Sequence, residues 1–280
     1  MDAQLGSNQY GKGRINVARV IRNDSGDDYR NATVDVLLQG DFDDAFLSGD
    51  NRKIVPTDTM KNTVWAFAAN YLDTSIEDFG LALAQHFVED FEQVTKADIA
   101  LEEHLWRRVK IGNRPDPYAF LGAGPELRVA SIRSAGEDVT IQSGFSGLPI
   151  IKTHGSAFEE FTRDKYTTLW EAPDRMLATE ITATWLYAQH AADFNEIWVD
   201  VRRIIIETFV GQESHSVQHS LHAMGSAVLA AQEAISEITL SLPNKHHFEV
   251  DLRPFGIKSD EVFFPVNDPH GTIEGTIRRS

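Results

Sequence analysis

The chain has 280 residues, 42% of them apolar and 10% aromatic, with a formal net charge of −16 and no cysteine. Length and apolar content support one large domain or two medium ones with real cores and argue against disorder. The missing thiols exclude disulfides, thiolate nucleophiles, iron–sulfur clusters and cysteine-based zinc sites, while the negative charge disfavours nucleic acid and anionic membrane surfaces as partners.

The opening stretch Met1–Tyr10 is polar and lacks the apolar core of a secretory leader, and no run of about 18 apolar residues could span a membrane. The closing Ile277-Arg278-Arg279-Ser280 lacks a Ser-Lys-Leu type of peroxisomal address. A cytoplasmic protein is expected. Residues 14–22 and 32–39 are rich in β-branched residues (Ile15, Val17, Val20, Ile21; Val34, Val36) on either side of the turn-rich Asn23–Asp28, which predicts a β-hairpin. Asp41, Asp43 and Asp44 read as a solvated loop, because they lack the glycine and terminal glutamate of a calcium loop. The segment Ile54–Val64 reads as an extended run broken once by Pro56 and crowded with hydrogen-bonding side chains. A buried strand rarely chooses them, since each unpaired polar group costs roughly 1–3 kcal/mol to bury.

A helix is predicted from Thr74, with Thr74 and Glu77 as a capping box and Ile76, Phe79, Leu83, Phe87, Phe91 and Val94 on one face. Strands follow near 97–111 and 126–133, then at 138–143, 148–153 and 177–187. Gly122-Ala123-Gly124-Pro125 reads as a turn, with no strand–loop–helix unit around it to suggest a phosphate site. A helix from about Asp193 carries Ile197, Val201, Ile205 and Phe209, and a second over 214–235 carries Val217, Leu221, Met224 and Val228. The alternating runs Ile238–Leu242 and Phe248–Leu252 predict a half-buried antiparallel pair. Asp58-Thr59-Met60 and Asp174-Arg175-Met176 lie 116 residues apart, and the same offset carries the first predicted helix onto the Asp193 helix. This points to an internal duplication, with units at 1–136 and 137–280. The pattern as a whole is α+β, with antiparallel sheet edges that must be paired or covered.

Five segments carry a family resemblance: Tyr10-Gly11-Lys12; Pro56 to Val64 with Thr57-Asp58 and Lys61-Asn62-Thr63; Phe158 to Leu169 followed by Asp174-Arg175; Ser216-Val217-Gln218; and Leu242-Pro243-Asn244-Lys245-His246-His247-Phe248. Taken singly, Lys12 is an ordinary strand-end lysine, Phe158 a core residue, Gln218 a solvated helix residue and Asn244 a turn residue. In this order and at these separations they resemble the urate oxidase (uricase) family. The resemblance implies tandem tunnelling-fold (T-fold) units, antiparallel sheets with helices on the outer face that close into a barrel in a homotetramer. It implies cofactor-free oxidation of urate by O2 to 5-hydroxyisourate and hydrogen peroxide, with no metal.

The residue types suit that chemistry. Arginine offers a rigid fork to adjacent acceptors of a flat anion, and glutamine reads an amide edge with both a donor and an acceptor. By resemblance these are Arg175 and Gln218. Phe158 would stack on the ring, with Val217 and Leu169 completing the wall and Asp58 meeting the far edge of the purine. Lys12, Thr57 and His246 would form the proton relay, and Asn244 would hold O2 or water above the ring. The family sets Lys12, Thr57 and Asp58 of one chain against Phe158, Arg175, Gln218 and Asn244 of its neighbour. Two other readings stand beside it. One is a non-catalytic purine-binding T-fold. The other is a metal-dependent T-fold enzyme using His215, His219 and His222, at helical spacing with Glu213 nearby.

Overall fold

In the first hairpin, alternate side chains face inward. The computed structural model describes residues 3–188, 193–258 and 261–279. Strand β1 (Tyr10–Ile21) buries Ile15 and Val17 and pairs antiparallel with β2 (Asp28–Gly40), which buries Ala32, Val34, Val36 and Leu38. A short helix, α1 (Asp43–Leu47), follows, so Asp43 and Asp44 form a helix first turn rather than a plain loop. Lys53 bridges to Asp41 at 2.6 Å. Helices α2 (Thr57–Tyr71) and α3 (Ile76–Glu89) come next, then the long strands β3 (Val94–Ile111) and β4 (Arg114–Ala135). In this first unit (Met1–Phe145 and Gln189–Asn195) the sheet runs β1-β2-β3-β4, with α3 lying on β3 and β4 and α2 on β1.

Strand β5 (Asp138–Lys152) gives its first half to the first unit and its second half to the second (Ser146–Ala188 and Glu196–Ser280). The second unit continues with β6 (Leu177–Tyr187), α4 (Phe194–Gly211), α5 (Val217–Ala231), β7 (Ile235–Ser241), β8 (Asn244–Glu249), β9 (Phe263–Gly271) and β10 (Glu274–Arg278). Strand β7 lies between β6 and β10, both antiparallel to it, with α5 packed on β7 and β10. Helices α3 and α5 each carry a glycine where they press closely on a strand. A Cβ on Gly80 would come within 2.5 Å of Ile132, and one on Gly225 within 2.6 Å of Ile277.

Several expectations are corrected. Residues 57–71 form a helix, not an extended run. Proline at Pro56 takes the N-cap position, and Met60, Val64 and Ala68 make its buried stripe. The capping residue of α3 is Ser75, whose hydroxyl accepts from the Asp78 N–H at 2.9 Å, while the Thr74 hydroxyl donates to the Tyr71 carbonyl. The predicted strands at 138–143 and 148–153 are one strand, and Gly122–Pro125 lies inside β4. The run Phe248–Leu252 does not pair with β7. Strand β8 begins at Asn244, pairs with β9, and among the described residues pairs with β6 at Ala178–Lys245. With α2 restored, two helices precede β3 in the first unit and two precede β7 in the second, and the offset of 116 carries α3 onto α4.

Glu77 misled the capping argument because its side chain turns inward. It is fully buried, bonded to the Arg128 guanidinium at 2.6 Å and to the Ser143 hydroxyl. Removing one partner of a buried ion pair costs about 3–5 kcal/mol. Arg128→Met is therefore expected to lower the unfolding free energy by about that amount in urea denaturation; a loss below about 1 kcal/mol would contradict the network as a structural strut.

Candidate active site

A cavity of about 360 Å³ opens in the second unit, and seven of the sequence-predicted residues line it: Phe158, Leu169, Arg175, Val217, Gln218, Asn244 and His246. His246 lies on the same wall, and Leu169 and Ile273 close its apolar side. Three separate segments deliver these groups. Phe158 and Ala172 form a two-way backbone bridge, with N–H to carbonyl distances of 2.8 and 3.0 Å. The Arg175 N–H then donates to the Ser156 carbonyl at 2.7 Å, so Phe158 and Arg175 emerge side by side. Val217 and Gln218 open α5, where the Ser216 hydroxyl caps the helix by accepting from the His219 N–H at 3.1 Å. Asn244 and His246 stand on β8, where a register shift separates the Asn244–Gly271 and His246–Val266 pairs.

Arg175 is half-buried and holds no ion pair among the described residues; its Nε is buried without a hydrogen-bond partner. Burial lowers its pKa from the usual arginine value. Neighbouring Asp174 does not neutralise it. That carboxylate accepts from the Gly155 N–H at 2.8 Å and the Ser156 N–H at 3.2 Å and contacts His154 Nδ1 at 3.1 Å. The His154 contact and these backbone bonds hold its pKa below the carboxylate norm. The Arg175 guanidinium rests instead over the Phe158 ring at 5.3 Å, and Phe158 stacks on Phe161 at 5.0 Å and 11°. The pKa of His246 is lowered, first by burial, then by the charge of Arg175 and of His270. The cavity thus pairs a cation lacking a counter-ion among the described residues with an imidazole whose charged form is disfavoured, a setting suited to a flat anion.

The first unit gathers the other three candidates. Lys12 is exposed on β1 beside a register shift between Lys12 and Ile15. Thr57 and Asp58 form the first turn of α2. Tyr10 ties the two together. Its hydroxyl accepts from the Val55 N–H at 2.8 Å and donates to the Val55 carbonyl at 3.2 Å, fixing the chain two residues before Thr57 to the residue two before Lys12. Asp58 accepts from Lys61 at 2.5 Å and Asn62 at 2.9 Å, and its pKa is lowered chiefly by Lys61, with a smaller contribution from Lys12. None of these three lines the cavity.

Sequence reasoning missed Met176, Lys245, His247, Phe248 and Ile273 as cavity residues. Ile273 sits between β9 and β10, a region with no local signal strong enough to predict either strand. His215 and His219 stack ring on ring at 5.3 Å, and among the described residues no group of three His, Cys, Asp or Glu side chains is placed to hold a metal ion.

A family model described as Uricase matches residues 8–133 and 141–274. The chain belongs to the uricase family. It is 42% identical over 276 residues to the uricase of Arthrobacter globiformis, covering 98% of this chain and 90% of that protein. It is 35% identical to the uricase of Aspergillus flavus, covering 97% and 96%. A crystal structure of the Arthrobacter globiformis uricase matches with a TM-score of 0.94 at 41% identity, over 100% of this chain and 96% of that one. A uricase from Bacillus fastidious matches at 0.86 with 22% identity, which speaks for the fold alone.

The depressed His246 gives a measurable consequence. Its folded state favours the neutral ring, so the unfolded chain binds more protons as pH falls through the ordinary histidine range, and this group then subtracts stability; above that range the effect vanishes. By NMR, His246 is expected to titrate below the usual histidine value and to move upward in Arg175→Gln, which removes the second cause. An unchanged titration in the variant would contradict the assigned electrostatics.

Proposed function

We propose that this chain is a urate oxidase whose purine site is the second-unit cavity, completed by Lys12, Thr57 and Asp58 from a second copy. The observation that carries it is Arg175: a half-buried guanidinium without a carboxylate, lining one cavity with Gln218. Such a fork suits an anion with adjacent oxygen and nitrogen acceptors, and the carboxamide suits an amide edge. A purine lying in the plane of the guanidinium would share the face of Phe158 and gain stacking area. The apolar wall of Leu169, Val217 and Ile273 would exclude water from the remaining edge.

The reaction joins urate, O2 and water to give 5-hydroxyisourate and hydrogen peroxide. Stripping protons from the bound purine makes it the reductant, so that it passes electrons to O2 without a cofactor. This needs a base and a relay. Lys12 is exposed in the single chain, and an amine serves as a base only when it leaves water or sits by other positive charge. Docking against a neighbour's cavity, beside Arg175 and His246, would supply both conditions. Thr57 offers a hydroxyl able to pass a proton either way, the His246 imidazole can accept one, and Asn244 would hold O2 or water over the ring. The unpartnered edge of β1, paired only with β2 among the described residues, gives a strand on which a second copy could add. The assembly proposed is a homotetramer with closed barrels, as the family resemblance implies.

The test is an absorbance assay on purified, chelator-treated protein, following loss of the urate band and appearance of peroxide. Wild type is expected to turn over urate in air. Arg175→Ala should raise KM by at least about thirtyfold, the loss of a charged paired contact of about 2–5 kcal/mol. Lys12→Met and Thr57→Ala should lower kcat by about 10²–10⁴-fold with a smaller change in KM. Mixed oligomers of Lys12→Met and Arg175→Ala chains should regain part of the activity. Mixed oligomers that form but remain inactive would overturn the shared site.

A further inference from the structure

The two proposed arms of the purine clamp, Arg175 and Gln218, stand on different segments, and a buried hydroxyl network joins them. On one side the Arg175 N–H is bonded to the Ser156 carbonyl, and Asp174 holds the N–H groups of Gly155 and Ser156. On the other side the same stretch meets Ser214. The Ser214 N–H donates to the Gly155 carbonyl at 2.9 Å, and the Ala157 N–H donates to the Ser214 carbonyl at 2.7 Å. Ser214 is itself buried, and its hydroxyl works twice, donating to the Ser216 carbonyl at 2.9 Å and accepting from the Ser220 hydroxyl at 2.7 Å. Ser220, fully buried on α5, accepts in turn from the Gln212 carboxamide at 3.0 Å. Lys152 donates to the Gln212 carbonyl at 2.8 Å and closes the end of α4.

We propose that Ser214, held by Ser220, is the positioning residue that sets the spacing of Arg175 and Gln218. This deepens the urate oxidase reading and rests on it. The physical reason is local. Ser214 is bonded through its backbone to the segment that fixes Arg175 and through its side chain to the first turns of the helix that presents Gln218. Both of its contacts are buried, so neither can be exchanged for water at low cost. A two-pronged grip is sensitive to the separation of its prongs, because each prong gains its full hydrogen bond only when the other is also aligned. Neither serine lines the cavity, so the effect must be indirect.

Steady-state kinetics with urate on five proteins tests the assignment: wild type, Ser214→Ala, Ser220→Ala, the double variant of these two, and Ser143→Ala. The last loses a buried serine bond to Glu77 in the first unit and serves as the control for general destabilisation. Ser214→Ala should raise KM about tenfold with kcat within about threefold. Ser220→Ala should raise it by a smaller factor, above threefold, while the Ser143→Ala protein keeps its KM within twofold. The double variant Ser214→Ala/Ser220→Ala should be no worse than Ser214→Ala alone, because both act on one contact. If Ser214→Ala does not fold, Ser220→Ala decides. An active wild type whose serine variants keep KM within twofold overturns the positioning role and leaves the function standing; a wild type inactive on urate overturns the function.

Discussion

A guanidinium taken halfway out of water with no carboxylate against it is the constraint on which this site depends. Arg175 is desolvated, its Nε lacks a partner, and neighbouring Asp174 turns one oxygen to the backbone N–H groups of residues 155–156 and the other to His154. Charge left uncompensated inside a protein is costly, and proteins retain it where a ligand provides the missing partner. Around that cation the fold places groups that tolerate it: an aromatic face that gains from a cation, an imidazole whose own protonation the cation opposes, and an amide. The overall charge of −16 is irrelevant at this range, since the field inside a cavity is set by its nearest groups.

The two units divide the proposed labour. The second unit offers binding groups on segments cross-braced by backbone bridges and buried serines. The first offers a lysine at a strand irregularity and a threonine at a helix start, tied by Tyr10. A relay built on exposed groups in the isolated chain gains its proper setting only when another copy covers it. Oligomerisation and catalysis would then be one event, a natural outcome for a sheet protein whose β1 edge needs a partner.

Much of the fold was legible from alternation and helical periodicity. Strand β6 and helices α3, α4 and α5 leave strong apolar patterns, and the first hairpin is framed by its turn residues. Helix α2 escaped because its apolar stripe, Met60, Val64 and Ala68, is narrow and its first turn is polar, so the segment read as extended around Pro56. Proline at the helix start was the available signal. Strands β9 and β10 carry Pro265, Pro269 and glycines where a strand would be expected to carry apolar residues, and they form because β8 and β7 supply pairing partners from elsewhere in the chain. The site residues were legible only through their joint resemblance to a family. Nothing in local sequence distinguishes Arg175 from a turn arginine, because its half-buried side chain, with no ion pair among the described residues, is set in place by Ser156, Phe158 and Ala172, brought to it by tertiary bonds.

The most direct test is a crystal structure with a purine analogue that binds but resists oxidation. The expected result is a planar ligand with one edge on the Arg175 guanidinium and the Gln218 carboxamide, its face over Phe158, and Thr57 of a second copy within hydrogen-bonding distance. A ligand lodged in another cavity, or an Arg175 left unpaired beside a bound purine, would contradict the account.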